Sequence, residues 1–126
     1  MNKEIINTNG APEPIGPYNQ AVKAGGFLFL SGQVALIPGT TELANKDISE
    51  ETHQVMQNLK NVLAAAEMDF SHVVKTTILL SDMALFATVN EIYARYFTGN
   101  FPARETYAVK ALPKNANLEI SMIAAK

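Results

Sequence analysis

Cysteine and tryptophan are absent from the 126-residue chain, and histidine occurs only at His53 and His72. Without cysteine there is no disulfide, no thiol nucleophile and no thiolate metal ligand. The two histidines lie far apart with no partner at ligand spacing, so no metal centre is expected. Charge is sparse as well. Charged residues make up 17% of the chain, with 10 Lys and Arg against 12 Asp and Glu and a formal net charge of -2. A sequence pI of 5.6 and the lack of a basic stripe argue against nucleic-acid binding, which depends on neutralising phosphates. No apolar run approaches the roughly 18 residues that a membrane helix needs. No apolar export segment follows Met1-Asn2-Lys3-Glu4, and cytoplasmic residence is expected. Any chemistry must come from carboxylates, Arg, Lys, Tyr, hydroxyls, amides and the backbone.

What the chain does have is an ordinary apolar share, 48%, in a length suited to one domain over residues 1–126. Pro and Gly crowd residues 9–18, which predicts a fixed irregular segment. A hairpin is expected over 21–30, because Gly25-Gly26 supplies the positive φ angles of a tight turn. Asp47 and Glu50 form a capping pair ahead of a helix over 48–68, in which Val55, Leu59, Val62 and Ala66 recur at helical spacing. Residues 72–80 read as a strand. A second helix, capped by Asp82, follows over 83–98, with Leu85, Val89, Ile92 and Tyr96 as its buried stripe and Gly99 as its stop. Strands over 104–109 and 118–124 complete the order. Two helices suffice to cover one face of such a sheet. Yet Val74, Ile78 and Leu80 oppose Val73 and Leu79, and Leu118, Ile120 and Met122 oppose Ile123. Both faces are then apolar and both need a cover, for which a second copy of the chain is expected.

Only two arginines are present. Arg95 falls inside the second predicted helix and reads as a solvated face residue. Arg104 follows Phe101-Pro102-Ala103, where proline fixes the backbone at the start of a strand. A planar, permanently charged guanidinium there can grip a carboxylate through two parallel hydrogen bonds. Glu119 stands among Leu118, Ile120 and Ile123, and a carboxylate in such company needs a partner or a task. Two readings are open. One is a structural Arg104–Glu119 ion pair; the other makes Arg104 the anchor of a substrate carboxylate and Glu119 the residue that positions or deprotonates a water.

These residues belong to longer strings. Pro102-Ala-Arg104-x-x-Tyr107-x-x-Lys110-x-Leu112, continued by Leu118-Glu119-Ile120, resembles the signature of the YjgF/RidA family of reactive-intermediate deaminases. Ile15-Gly-Pro-Tyr18, Ser31-Gly-Gln33, Val74-Lys-Thr-Thr77 and Phe86-Ala-Thr-Val-Asn90 match it too, in order along essentially the whole chain. The resemblance implies a chorismate-mutase-like α+β fold, a mixed sheet with two helices on one face, in a homotrimer with ligand clefts between subunits. It implies hydrolysis of 2-imino or enamino acids, such as 2-aminoacrylate and 2-iminobutanoate, to 2-oxo acids and ammonia without cofactor or metal. Pyridoxal-phosphate-dependent dehydratases would supply these intermediates. Carried onto this chain, it assigns the substrate carboxylate to Arg104 and the water to Glu119 and backbone groups near Thr106. Tyr18 would close the pocket, Ser31 and Gly32 would add polar or backbone contacts, and Asn90 would reach in from the second helix.

Two positions depart from the family pattern. Thr106 stands where many members carry Cys, which removes thiol chemistry and leaves a backbone carbonyl role. Glu105 stands where a small residue is usual, and a carboxylate beside the anchor would compete for Arg104. Strand alternation turns neighbours to opposite faces, so Glu105 is expected to face away. Two other functions stay open beside the deaminase. One is a non-catalytic sensor that binds a 2-oxo acid or amino acid in the same cleft; the other, a ribonuclease or translation inhibitor, is the weaker on charge grounds.

Overall fold

The computed structural model describes residues 2–126. Six strands and two helices follow one another as β1 (Glu4–Ile6), β2 (Ala21–Ala24), β3 (Phe27–Gln33), α1 (Ile48–Ala65), β4 (Val73–Leu80), α2 (Phe86–Ala94), β5 (Ala103–Ala108) and β6 (Leu118–Ala125). The strands make one sheet in the order β1-β2-β3-β6-β4-β5. It is a mixed sheet, as expected. β4 and β5 run parallel on either side of the α2 crossover, and every other neighbouring pair is antiparallel.

Local chemistry explains most boundaries. Gly25 and Gly26 turn the β2–β3 hairpin with φ of 59° and 83°. Asp47 caps α1 by accepting from Glu50 N at 2.8 Å, and the Glu50 carboxylate reaches back to Lys46 N at 2.9 Å. α1 stops at Ala65, short of the predicted end, where Glu67 adopts a left-handed φ of 58° and Met68 N bonds Leu63 O at 2.9 Å. The second predicted helix is really a 3-10 turn, Met83–Leu85, capped by Asp82, followed by α2. Beyond Ala94 the hydrogen bonds span three residues instead of four, from Arg95 N to Ile92 O and from Tyr96 N to Tyr93 O. The buried stripe moves accordingly to Val89, Ile92 and Tyr93. β1 carries too short a pattern to be read in advance; it forms because the edge of β2 offers Ile5 and Ile6 partners in Val22 and Ala21.

One face of the sheet is sealed by the helices. Leu28, Leu30, Ile78, Leu80, Leu118, Ile120 and Met122 pack there against Val55, Met56, Leu59, Val62 and Leu63 of α1 and Val89 of α2. Each such side chain contributes on the order of 1.5–3 kcal/mol through burial. The other face has no helix on it, and Ile5, Val22, Phe29 and Ile123 stand in one row across four strands. The faces expected for Val73 and Val74 are reversed. β4 carries one extra residue against β6 between Val73 and Lys75, and this bulge turns Val73 into the core and leaves Val74 exposed.

Glu51, fully buried in the first turns of α1, ties the helix to the segment before β6. Its carboxylate accepts from Asn117 N at 2.7 Å and from Asn117 Nδ2 at 2.8 Å, while Asn117 O accepts from Ser81 N at 2.9 Å. A glutamine keeps the size but sets an amide against one of two donors, leaving buried groups unsatisfied. Glu51→Gln is expected to lower the unfolding free energy by about 1–3 kcal/mol with an unchanged denaturant slope, as read from urea melts.

Candidate active site

Arg104 lies on β5, an edge strand, beside Thr76 of β4 and on the helix-covered face. α2 crosses over it. Arg104 Nη1 donates to Asn90 Oδ1 at 2.7 Å. The guanidinium carbon sits 5.2 Å from the centre of the Tyr93 ring and 5.5 Å from that of Phe86, within cation–π range. Among the described residues no carboxylate comes within ion-pair distance of it. Asn90, Tyr93, Ala94, Phe101, Pro102 and Arg104 line a pocket of about 390 Å³. Thr106 shares this face, beside Ile78, and its hydroxyl is buried without a hydrogen-bond partner among the described residues.

Glu119 is elsewhere. Arg104 aligns with Thr76 and Glu119 with Leu79, three residues apart on β4, and an odd separation places the two side chains on opposite faces. The Arg104–Glu119 ion pair considered from the sequence therefore does not form. On the open face Glu119 meets a second bulge, where β3 carries an extra residue against β6 between Leu30 and Gln33. Gly32 lies in that bulge, and a Cβ there would come within 2.5 Å of Glu119 Oε1, so only glycine lets the carboxylate approach. The Ser31 hydroxyl donates to Asn19 O at 2.6 Å, which holds the segment after Tyr18 against the bulge. Tyr18 is 48% exposed, and its hydroxyl makes only a long contact, 3.4 Å, with Ile15 N. Partial burial pushes the Glu119 carboxyl above the ordinary glutamate range.

The expected site residues thus fall into two groups. Arg104, Asn90 and Thr106 belong to the helix-covered face, whereas Ser31, Gly32 and Glu119 gather at the β3 bulge and Tyr18 stands in the preceding loop, one residue before the Asn19 that accepts from Ser31. Glu105 faces away from Arg104, as alternation requires. It accepts from Thr77 Oγ1 at 2.8 Å and pairs with Lys75 Nζ at 3.2 Å, contacts that hold its carboxyl below the usual range. Sequence reasoning gave no role to Tyr93, whose ring lies beside the guanidinium, or to Thr76, which accepts the Tyr93 hydroxyl. The signal was there in spacing: Phe86, Asn90 and Tyr93 recur at four and three residues and share one face of α2.

The family model described as Endoribonuclease L-PSP matches residues 8–126. The chain belongs to this family, the YjgF/RidA group. A relative from Arabidopsis thaliana named Reactive Intermediate Deaminase A, chloroplastic, is 50% identical over 124 residues, covering 98% of this chain and 66% of the relative. The Mus musculus protein named 2-iminobutanoate/2-iminopropanoate deaminase is 48% identical over 122 residues, covering 97% of this chain and 90% of the relative. The crystal structure of E. coli TdcF with bound serine shares 36% identity at a TM-score of 0.93, covering 98% of both chains. Among the described residues of this family member, no helix is long and apolar enough to cross a membrane. No group of three His, Cys, Asp or Glu there could hold a metal ion.

The raised Glu119 carboxyl has a definite sign. The folded chain keeps a proton that the unfolded chain has released, so stability falls as pH rises from the ordinary glutamate range towards the raised value. Glu119→Gln, which cannot ionise, is expected to melt above the wild type at neutral pH. Thermal melts across a pH series should show that gap closing as the pH drops below the ordinary glutamate range.

Proposed function

We propose that the protein is a hydrolytic deaminase that converts small 2-imino or enamino acids, such as 2-aminoacrylate and 2-iminobutanoate, to 2-oxo acids and ammonia. The observation that carries this reading is Arg104, an oriented guanidinium lining a pocket with no carboxylate among the described residues to neutralise it. The names of the Arabidopsis and mouse relatives support the reaction class. Serine in the E. coli structure supports a small carboxylate-bearing ligand.

One chain carries the two halves of this site on different faces. A second copy seated on the open face would bring Tyr18, Ser31, Gly32 and Glu119 of one subunit to Arg104, Asn90 and Thr106 of the next. Such a contact joins unlike surfaces, and a closed ring repeats it without leaving a free end; we take that ring to be a homotrimer. The exposed Phe27 and Phe29 on the open face support its burial in an assembly.

In the completed cleft the substrate carboxylate docks on Arg104 and fixes the imine carbon. A water held by Glu119 adds its oxygen to that carbon. Glu119, more basic than an ordinary glutamate, takes the water proton and passes it to the nitrogen, which gives the carbinolamine. In the collapse the hydroxyl proton moves to the departing nitrogen, the C–N bond breaks and the oxygen stays as the new carbonyl. One water enters and one ammonia leaves, with no change of oxidation state. Positioning and charge stabilisation are enough for this step. We place the activity in the cytosol, downstream of pyridoxal-phosphate-dependent dehydratases that release such imines; the word chloroplastic belongs to the Arabidopsis relative's name. RNA cleavage, which the family's description mentions, gains no support from a site group with one arginine and no histidine.

A threonine dehydratase that generates 2-iminobutanoate provides the assay, read as the rate of 2-oxobutanoate formation. Arg104→Ala is expected to remove at least about 10²-fold of the acceleration, and Glu119→Gln a comparable amount. Refolding the two inactive variants together in equal amounts should restore about a quarter of the sites, because each site needs one intact half from each of two copies. Full activity in Arg104→Ala would sink the mechanism, and no recovery on mixing would sink the shared site. A wild type that binds 2-oxobutanoate without speeding ammonia release would be a sensor.

A further inference from the structure

An arginine on an edge strand is ordinarily a mobile side chain, with about 2 kcal/mol of rotamer entropy to lose when it binds. Arg104 is not free in that way. Phe86 and Tyr93 flank its guanidinium, and Asn90 takes one of its N–H groups. Tyr93 is itself tied down: its hydroxyl donates to Thr76 Oγ1 at 2.9 Å, and Thr76 is fully buried. Thr76 is also the residue beside Arg104 in the β4–β5 pairing. The contacts therefore close a circuit, from the Arg104 backbone to Thr76 through the sheet, from Thr76 to Tyr93 through a buried hydrogen bond, and from the Tyr93 ring back to the guanidinium. Burial pushes the Tyr93 phenol up, so it keeps the proton it donates. A Phe and Val pair would fill the same space without polar atoms, so bulk packing alone does not call for this hydroxyl pair.

We infer that Tyr93 and Thr76 are positioning residues for the carboxylate anchor, locking the Tyr93 ring so that the guanidinium presents its remaining N–H groups in one fixed orientation. The inference rests on the proposed role of Arg104 as a carboxylate binder and adds the device that prepares it. A ligand then meets oriented donors instead of a swinging side chain, and less entropy is lost on binding. Thr76 is fully buried and the Tyr93 hydroxyl is engaged with it, so the hydroxyl pair acts through Arg104, while the Tyr93 ring also lines the pocket.

The deciding variant is the double substitution Tyr93→Phe with Thr76→Val. It replaces both hydrogen-bonding partners by apolar groups of similar shape, a change close to neutral for stability. The variant should unfold at the wild-type denaturant concentration yet show KM for 2-iminobutanoate raised about tenfold with kcat nearly unchanged. Calorimetric titration with 2-oxobutanoate should show the same rise in Kd, and the Arg104 Nε–Hε signal of the free protein should report larger motion by NMR relaxation. A merely structural role would lower kcat through loss of folded protein and leave KM alone. Wild-type KM, Kd and Arg104 mobility in the double variant would overturn the inference. Tyr93→Leu, which removes the ring, should raise KM further; if it does not fold, the double variant still decides. The NMR measurement needs no ligand, so it tests the locking even if the wild type binds no carboxylate, a result that would instead overturn the deaminase reading.

Discussion

The central strand β6 sends Leu118, Ile120 and Met122 into the helix-covered core and Glu119, Ser121 and Ile123 to the open face. This alternation, with its period of two residues, divides the chemistry of the whole molecule. β5 follows the same rule with Arg104 and Thr106 on the helix side and Glu105 on the other. A sheet covered on one side only can thus offer a cationic anchor on one face and a carboxylate on the other without letting them neutralise each other. The distance between them is enforced by the backbone and not by any repulsion between side chains.

Each half of the candidate site then depends on a local departure from regular structure. On the open face, an extra residue in β3 bends the strand at Ser31-Gly32, and the missing side chain of Gly32 lets the Glu119 carboxylate lie against the backbone. Partial burial there leaves Glu119 more basic than usual. On the helix face, α2 contributes Phe86, Asn90 and Tyr93 from one of its sides, and these flank a guanidinium that has no acidic partner among the described residues. Glu105, the acid closest in sequence, is occupied by Lys75 and Thr77. Basic and acidic groups are kept apart by topology and made ready by local contacts.

Much of this was legible in residue order. The Gly-Gly hairpin, the Asp47–Glu50 cap, the apolar spacing of α1 and the two-faced strands all act over a few residues, so the sequence shows them directly. The facing of Glu105 also follows from alternation alone. Harder to see were the short edge strand β1, the shift of the α2 stripe to Tyr93, and the bulge that exchanges Val73 with Val74. Each depends on what a distant segment offers as a partner, and a local pattern does not carry that information. The reading of an Arg104–Glu119 ion pair within one chain failed for the same reason. Both residues stand out along the sequence, but their relative face depends on how β4 registers with β5 on one side and β6 on the other.

The sequence by itself determined the class of fold, the family, the lack of cysteine, and the residues that stand out as candidates for a site. These follow from composition, from spacings of two to four residues and from motif strings, all properties of neighbours along the chain. Only the tertiary structure decided that Arg104 and Glu119 lie on opposite faces, that Glu119 leans on Gly32, and that Tyr93 packs on the Arg104 guanidinium while its hydroxyl bonds Thr76. Those outcomes depend on strand register and helix placement, where a shift of one residue reverses every side chain's face. Such a shift leaves composition and motif order untouched, so it becomes visible only when the strands are seen paired.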